Sequence, residues 1–299
     1  MGIRFIFGRA GSGKSYYCLN QIKKKLENDK NNKLILLVPD QYTFQTEKKL
    51  LEHIGERALL RAEVLSFKRM ATRVFDRCGG RAINVIEDSG KNMLIYKLLK
   101  DKGEELQYFN RISKQQGFVG IVSKSITEFK KYNISEEILI EKESQIDNKD
   151  LKEKVNDLAS IYKIFNENLH KGYIDSEDIL SILAKKLKEC ELYNDAEIWV
   201  DEFTTFTPQQ LEVLKVLAKQ CKNINITLCS DGQIQFTEGE TDIFDVIKNT
   251  ENRLLKMMQE NNIAYKAARM MLESQPVRGG VSISLQKRIP VAAGMAGGS

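Results

Sequence analysis

Short apolar runs alternate with helical periodicity at the start of the chain. Ile3–Phe7 is apolar and β-prone, and Leu34–Val38 is a continuous apolar run stopped by Pro39. Because the second run does not alternate with polar residues, it predicts a strand buried on both faces, as in a parallel sheet covered by helices. A third strand is predicted at Glu63–Leu65, and helical spacing of apolar residues separates the first two strands. This order of elements is typical of an α/β fold.

The middle of the chain, from about Asp88 to Cys190, has helical periodicity and contains no proline. Its segment Ser135–Asn156 is charge-rich and predicts either a solvated pair of helices or a loose connection. Strand patterns return at Glu197–Asp201 and Ile224–Cys229. We therefore predict an α/β domain interrupted by a helical insertion. The predicted parts are residues 1–88 and 191–265 for the α/β domain, 89–190 for the insertion and 266–299 for a separate tail.

The segment Gly8–Ser15 matches the pattern G-x-x-x-x-G-K-[ST] between a predicted strand and a predicted helix. Glycines let the backbone curl so that its N–H groups point at an anion. Lys14 is expected to reach the β- and γ-phosphates of a nucleotide, and the Ser15 hydroxyl to bind Mg²⁺. The predicted nucleotide-binding residues are Gly8, Arg9, Ala10, Gly11, Ser12, Gly13, Lys14 and Ser15. The pattern thus predicts ATP and Mg²⁺ as cofactors.

A phosphate loop of this kind needs an acidic partner on another strand. Asp201 and Glu202 directly follow the apolar run Ile198–Val200. Asp201 is expected to bind Mg²⁺, and Glu202 to take a proton from the attacking water. Lys14, Asp201 and Glu202 are therefore the candidate catalytic residues, and Ser15 and Asp201 the candidate metal ligands.

Composition and cysteine spacing narrow the class of protein. The chain has 299 residues, a net charge of +5 and no long uncharged apolar run, so we expect neither a membrane span nor a secretory signal. The charge is too small to identify a nucleic-acid partner by itself. The five cysteines are widely spaced and the chain has two histidines, which argues against structural zinc and against a disulfide framework. Buried free thiols in a reducing cytoplasm are expected instead.

The residues around these motifs resemble those of superfamily 1 DNA helicases. The run Asp201–Phe203, followed by Gln209, is similar to their second motif, and Leu228–Gln233 is a loose match to their third. Val38–Glu47 follows the second strand, where such helicases contact single-stranded DNA. The resemblance implies a RecA-like parallel sheet with the architecture of a superfamily 1 helicase first domain.

Four segments together resemble the N-terminal part of the AddB family, up to about residue 265. They are Gly8–Ser15, Val38–Glu47, Leu65–Met70 and Phe203–Gln209. The family implies a cytoplasmic heterodimer with an AddA-type helicase–nuclease subunit, which processes double-stranded DNA ends for recombination and repair. In that family the partner is the translocating motor. Because the sequence carries only the first of two helicase-like core domains, we expect nucleotide binding with weak or no turnover.

The same resemblance suggests which residues contact DNA. Hydrogen bonds to phosphates and stacking on bases are the expected modes of contact for single-stranded DNA. The candidate DNA-binding residues are Gln41, Thr43, Ser66, Phe67, Lys68 and Arg69. A surface role for the two basic residues and a core role for Phe67 are the alternatives.

The tail differs from the rest of the chain. Gly279–Ser299 resembles the phosphate-loop region of the GHMP kinases, most closely the 4-diphosphocytidyl-2-C-methyl-D-erythritol kinase family. Its loop stops at the first serine, before the helix that would hold phosphate. We therefore expect a chimeric chain with a poorly ordered tail and no kinase activity. Besides the ATPase-like fragment, a non-hydrolysing module that docks DNA and a partner stays open, and a small-molecule kinase is the third alternative.

Overall fold

The chain is described by a computed structural model and forms two compact units. The structure describes residues 2–28, 33–55, 61–80, 84–113, 115–169, 172–230, 245–259 and 282–286. The first unit, here called the α/β unit, is drawn from Met1–Gly79, Leu183–Phe206 and Gln210–Ser299. The second, called the helical unit, is drawn from Gly80–Ile182 and Thr207–Gln209.

Within the described residues, the α/β unit is built on a six-stranded sheet with the strand order β3-β2-β6-β7-β1-β8. Its first five strands are all parallel, and β8 pairs antiparallel with β1. The strands are β1 (Gly2–Phe7), β2 (Leu34–Leu37), β3 (Ala62–Leu65), β6 (Glu197–Val200), β7 (Asn223–Leu228) and β8 (Ser282–Gln286). Every residue of β2 and β6 is buried. The mostly parallel α/β sheet predicted from continuous apolar runs is confirmed.

Helices surround this sheet. They are α1 (Lys14–Asn28), α2 (Thr43–Ile54), α3 (Phe67–Cys78), α9 (Pro208–Gln220) and α10 (Asp245–Gln259). Cys18, Leu19 and Ile22 line the buried face of α1 and belong to one core cluster with Leu34 and Trp199 of the sheet. Complete burial of such side chains contributes about 1.5–3 kcal/mol each. This packing fixes the start of α1, and with it the loop that precedes the helix.

The helical unit has its own hydrophobic core. Its helices are α4 (Asp88–Lys102), α5 (Gln116–Lys131), α6 (Glu136–Glu143), α7 (Lys149–Leu169) and the first part of α8 (Ile179–Leu187). A short parallel pair, β4 (Val85–Ile86) with β5 (Ile174–Asp175), joins its two chain ends. Phe118, Val122 and Ile126 of α5 pack with Phe165 and Leu169 of α7. The charge-rich segment 135–156 forms α6 and the first part of α7, which is the helix pair rather than the loose connection.

Buried charges also stabilise the helical unit. Asp175 has no exposed surface, and its carboxylate lies 2.8 Å from Lys91 Nζ and 3.7 Å from Lys130 Nζ. Burial raises the pKa of Asp175, but the hydrogen bond from Lys91 and the charges of both lysines outweigh burial and hold that pKa below its usual value. Asp157 is also buried, and its carboxylate accepts hydrogen bonds from three consecutive backbone N–H groups of residues 107–109. Gln209 donates to the Glu177 carbonyl oxygen at 2.8 Å.

Two cysteines differ from the expectation. Cys78 and Cys190 form a disulfide, with Cα atoms 5.9 Å apart and a separation of 112 residues in sequence. The prediction of free thiols is therefore wrong for this pair and holds for Cys18, Cys221 and Cys229. Sequence spacing gives no sign of the pair, because only the fold returns the chain to α3 after the helical unit.

The membrane span and the tail are the last two features to compare with the sequence. Among the described residues, no helix is both long enough and apolar enough to cross a lipid bilayer. The predicted tail of residues 266–299 lies outside the described residues except for Ser282–Gln286, which form β8.

Candidate nucleotide and nucleic-acid site

The loop from Gly8 to Gly13 joins β1 to α1 at the carboxyl edge of the parallel strands. Gly11 and Gly13 have φ angles of +74° and +84°, a region that residues with a Cβ rarely adopt. Gly8 is required for another reason, because a Cβ there would overlap Ser12 Oγ. The Gly8 amide donates to the carbonyl oxygen of Leu228 at 3.3 Å, which ties the loop to β7. The glycines therefore allow the tight curl that the sequence pattern predicts.

Lys14 folds back over this loop. Its Nζ donates to the carbonyl oxygens of Gly8 at 2.7 Å and Arg9 at 2.9 Å. Lys14 and Ser15 are half-buried in the first turn of α1, which contains no acidic residue. The free amide groups of a helix start and a neighbouring ammonium group together favour an anion. The loop and the helix start thus form one electropositive end.

Asp201 follows β6 at the same edge of the sheet and is 5% exposed. Its amide donates to the Leu37 carbonyl oxygen at 3.0 Å, and its carboxylate accepts from the Thr227 hydroxyl. One strand, β7, separates β6 from β1. Two inter-strand spacings amount to about 10 Å. A carboxylate therefore lies two strands away from the glycine loop.

The buried thiol of Cys18 reports on the same neighbourhood. Burial raises its pKa well above the ordinary value, the Asp201 carboxylate raises it further, and the charges of Arg4 and Lys14 lower it. Asp201 and Lys14 thus both lie within electrostatic range of one side chain. The structure brings together the two residues for which the sequence predicts a shared role.

Glu202 has an unusual backbone for a residue with a side chain, with φ of +65°. Such conformations cost about 1–3 kcal/mol and concentrate at functional sites. Burial and the neighbouring Asp201 carboxylate raise the pKa of Glu202, against a lowering by Lys49. A carboxylate with a raised pKa is a stronger proton acceptor at neutral pH.

The site's chemistry fits magnesium bound mainly through a nucleotide. Among the described residues, no group of three or more His, Cys, Asp or Glu side chains could hold a metal ion. Magnesium commonly keeps several waters and binds one or two protein oxygens together with substrate phosphates. The Asp201 carboxylate and the Ser15 hydroxyl are protein oxygens of that kind, on the two sides of β7.

Three of the candidate DNA-binding residues have structural roles. Thr43 is buried and its hydroxyl donates to the Asp40 carbonyl oxygen at 2.9 Å, at the start of α2. Ser66 is the buried N-cap of α3 and accepts from the Arg69 amide at 3.2 Å. Phe67 is buried, with its ring edge-on to Phe203 at 5.6 Å. Such contacts orient the loops but leave little side-chain surface for a ligand.

The other three candidates are exposed. Gln41 lies in the short turn before α2, and Lys68 and Arg69 lie in the first turn of α3. Arg69 forms an ion pair with Glu47 of α2. Since β2 and β3 are neighbours, the turns that follow them lie side by side at the carboxyl edge of the sheet. They form a polar, partly basic surface.

Two aromatic residues on this surface are absent from the candidates chosen by sequence. Phe44 is 77% exposed in the first turn of α2, and Tyr42 is exposed immediately before it. An exposed phenylalanine beside basic residues is typical of a surface that stacks on nucleic-acid bases. Both residues lie within the motif Val38–Glu47, but the sequence does not reveal which side chains of that motif are exposed.

These features define an α/β protein with a mostly parallel sheet, compatible with a RecA-like fold, and with its distinctive residues at one edge of the sheet. A family model described as ADDB, N-terminal, matches residues 5–282. The chain belongs to this family. The match reaches beyond residue 265, the predicted end of the resemblance, and a foreign origin of residues 266–299 stays a prediction.

Individual relatives agree with the family match. An ATP-dependent helicase/deoxyribonuclease subunit of Clostridium perfringens (strain 13) is 51% identical over 278 residues, 93% of this chain and 24% of that protein. Proteins of the same name from Clostridium botulinum (strain Loch Maree) and Clostridium kluyveri are 49% and 46% identical, over 88% and 89% of this chain. In both cases 23% of the relative is covered. The chain therefore spans about a quarter of the length of the relatives it matches.

Proposed function

We propose that this chain is the N-terminal, nucleotide-binding part of an AddB-type subunit that acts in DNA double-strand break repair and homologous recombination. It binds ATP with Mg²⁺ and contacts single-stranded DNA. One observation carries the proposal: the glycine loop with Lys14 and the buried Asp201 follow strands of one parallel sheet and lie at the same edge. Open parallel sheets bind ligands at the carboxyl ends of their strands.

Each residue has a distinct role in this proposal. The amides of Gly8–Ser15 surround the phosphates, and Lys14 exchanges its bonds to the loop carbonyls for bonds to phosphate oxygens. Ser15 and Asp201 hold Mg²⁺, which supplies charge neutralisation at the phosphates when bound. Glu202 orients a water and accepts its proton, a task that suits its raised pKa.

DNA contacts the surface formed by the turns after β2 and β3. Phe44 and Tyr42 stack on bases, while Gln41, Lys68 and Arg69 bind phosphates. Three buried residues, Thr43, Ser66 and Phe67, act on DNA indirectly, by fixing the backbone of the two turns. The DNA surface and the nucleotide loop follow strands of the same sheet, which provides a route for coupling between them.

The whole subunit is proposed to be a cytoplasmic heterodimer with an AddA-type helicase–nuclease subunit and to act on single-stranded and double-stranded DNA ends. The names of the relatives, which include ATP-dependent helicase and deoxyribonuclease, support this assignment. Nuclease chemistry is assigned to parts of the relatives that this chain does not match, since the matched quarter is the N-terminal family domain.

Binding of ATP tests the proposal. Calorimetric titration with Mg²⁺ and ATP should give a measurable affinity that Lys14→Ala lowers by about 100-fold or more, because the ammonium contacts the phosphates directly. Lys24→Ala, at an exposed position of the same helix, is the matched control and should bind normally. Equal affinity of Lys14→Ala and the unchanged chain would refute nucleotide binding by this loop.

Hydrolysis distinguishes the motor-like alternative from the docking module. ATP turnover should be measured with and without single-stranded DNA. DNA-stimulated turnover that disappears in Lys14→Ala supports an ATPase. Binding of both ligands without turnover identifies a non-hydrolysing module that docks DNA and the partner subunit.

A further inference from the structure

The disulfide pair lies where the chain leaves and re-enters the α/β unit. Cys78 is the last residue of α3, next to the boundary at Gly79, and Cys190 follows α8. The two cysteines are separated by 112 residues, and the segment between them includes the helical unit except for Thr207–Gln209. A bond between these two residues therefore closes one covalent loop around almost the whole insertion.

The two cysteines differ in exposure. Cys78 is exposed, whereas Cys190 is 3% exposed. A dissolved thiol or disulfide can therefore reach Cys78, while Cys190 is reached through Cys78. This is the arrangement of an attacking cysteine with a resolving cysteine beside it.

The remaining described cysteines lack this arrangement. Cys18 and Cys221 are buried, and burial raises the pKa of both thiols. Cys229 is half-buried and forms no disulfide. Thiolate exchange needs both access and a thiolate, so neither buried thiol competes with the pair.

We propose that Cys78 and Cys190 form a reversible thiol–disulfide exchange site whose co-reactant is a low-molecular-weight disulfide. In the forward direction the Cys78 thiol loses its proton to water, and its thiolate attacks one sulfur of the small disulfide. One small thiolate leaves, and a mixed disulfide remains on Cys78. The Cys190 thiolate, after losing its own proton, attacks the Cys78 sulfur and expels the second small thiolate.

The net reaction oxidises two cysteine thiols and reduces one small disulfide to two thiols. Reduction is the reverse sequence, which starts when a small thiolate attacks the exposed Cys78 sulfur and releases Cys190. The bonded form restricts the unfolded chain by a loop of more than a hundred residues, which stabilises the folded form relative to the dithiol form. The redox state of the surroundings thereby sets how strongly folding of the chain is favoured.

Glutathione serves as the probe. The full chain is equilibrated at several ratios of oxidised to reduced glutathione, quenched with acid, unfolded, alkylated and mapped by peptide mass spectrometry. Cys78 and Cys190 should lose alkylation together as the oxidised fraction rises, and reducing conditions should restore both. The Cys229→Ser variant is the matched control and should show the same curve.

Thermal unfolding gives a second readout. The oxidised chain should unfold about 5 °C or more above the reduced chain, and in Cys78→Ser this difference should disappear. Three outcomes would overturn the proposal. They are alkylation of Cys78 and Cys190 that never changes with the ratio, a mixed disulfide on Cys78 that never resolves, and protection of Cys190 in Cys78→Ser. Because the titration uses the unchanged chain, it decides the question even where a variant does not fold.

Discussion

Asp175 in the helical unit and Asp201 in the α/β unit are both buried carboxylates, but their partners differ. Asp175 lies between the ammonium groups of Lys91 and Lys130. Asp201 accepts from the neutral hydroxyl of Thr227 and lies at the end of a strand. In the first case the charge is matched inside the protein, so it serves stability. In the second case the negative charge is retained at an edge where a cation can bind.

The same difference extends to other polar residues of the two units. In the helical unit, Asp157 accepts three backbone amides and thereby fixes a turn. In the α/β unit, Lys14 bonds only to carbonyl oxygens among its described hydrogen bonds, and Glu202 has a strained backbone. Saturated polar contacts indicate structure, whereas polar groups with weak or exchangeable contacts at a strand edge indicate binding. Variants in the two units should therefore affect different measurements.

The largest expected effect is on the stability of the helical unit. Lys91→Met leaves the buried Asp175 carboxylate without its hydrogen-bonded cation, which typically costs about 3–5 kcal/mol. Denaturant unfolding measures the loss. Lys97→Met, at an exposed position of the same helix, is the control and should change the free energy of unfolding by less than about 0.5 kcal/mol. A loss below about 1 kcal/mol for Lys91→Met would show that Asp175 does not depend on this partner.

In the α/β unit, Asp201→Asn should affect ligand binding more than stability. Removal of the carboxylate charge should weaken binding of ATP in the presence of Mg²⁺ by about 100-fold, or ~2.7 kcal/mol. The amide keeps an oxygen that accepts from Thr227, so the free energy of unfolding should change by less than about 1 kcal/mol. Calorimetry and denaturant unfolding separate the two quantities. A variant that loses stability but binds ATP normally would remove the contrast with Asp175.

Phe44→Ala tests the exposed aromatic surface. Loss of one base-stacking side chain typically costs about 1–3 kcal/mol in binding of single-stranded nucleic acid. Fluorescence anisotropy with a labelled oligonucleotide measures the affinity. Tyr96→Ala, which removes an exposed aromatic ring from the helical unit, is the matched control. Equal losses in the two variants would show that stacking is not confined to the α/β unit.

The smallest expected effect concerns pH. Because the pKa of Glu202 is raised in the folded chain, the folded state binds more protons, and stability falls as pH rises above the ordinary glutamate pKa. Solvent screening keeps this change under about 1 kcal/mol. Glu202→Gln should remove the decline, which thermal unfolding from acidic to neutral pH can measure. Glu27→Gln, at an exposed position, is the control, and a steeper decline in Glu202→Gln would contradict the assignment.

Much of the α/β unit can be predicted because its signals are local. The run Leu34–Val38 is apolar at every position, and β2 covers Leu34–Leu37. Glu197–Asp201 likewise corresponds to β6, with Asp201 at its carboxyl end. The glycine pattern indicates the loop because its backbone needs glycine at defined positions.

The remainder depends on contacts between residues far apart in the chain. Lys91 and Asp175 are 84 residues apart, and nothing near either residue indicates the other. The sequence also cannot rank Phe44 above Thr43 for DNA contact, since exposure depends on which side of α2 faces the sheet. The pairing of Cys78 with Cys190 escapes prediction for the same reason.

The strand order has a consequence for how the chain acquires its structure. Strand β6 lies between β2 and β7, and its Glu197 is paired in register with Leu34. During synthesis, β2 and β3 can pair early, but β2 keeps an unpaired edge until the helical unit has been completed and β6 has emerged. Pairings of such long sequence separation are slow to form, and exposed strand edges invite association with other chains. A helical unit that folds by itself would shorten the effective loop between β3 and β6, which favours timely completion of the sheet.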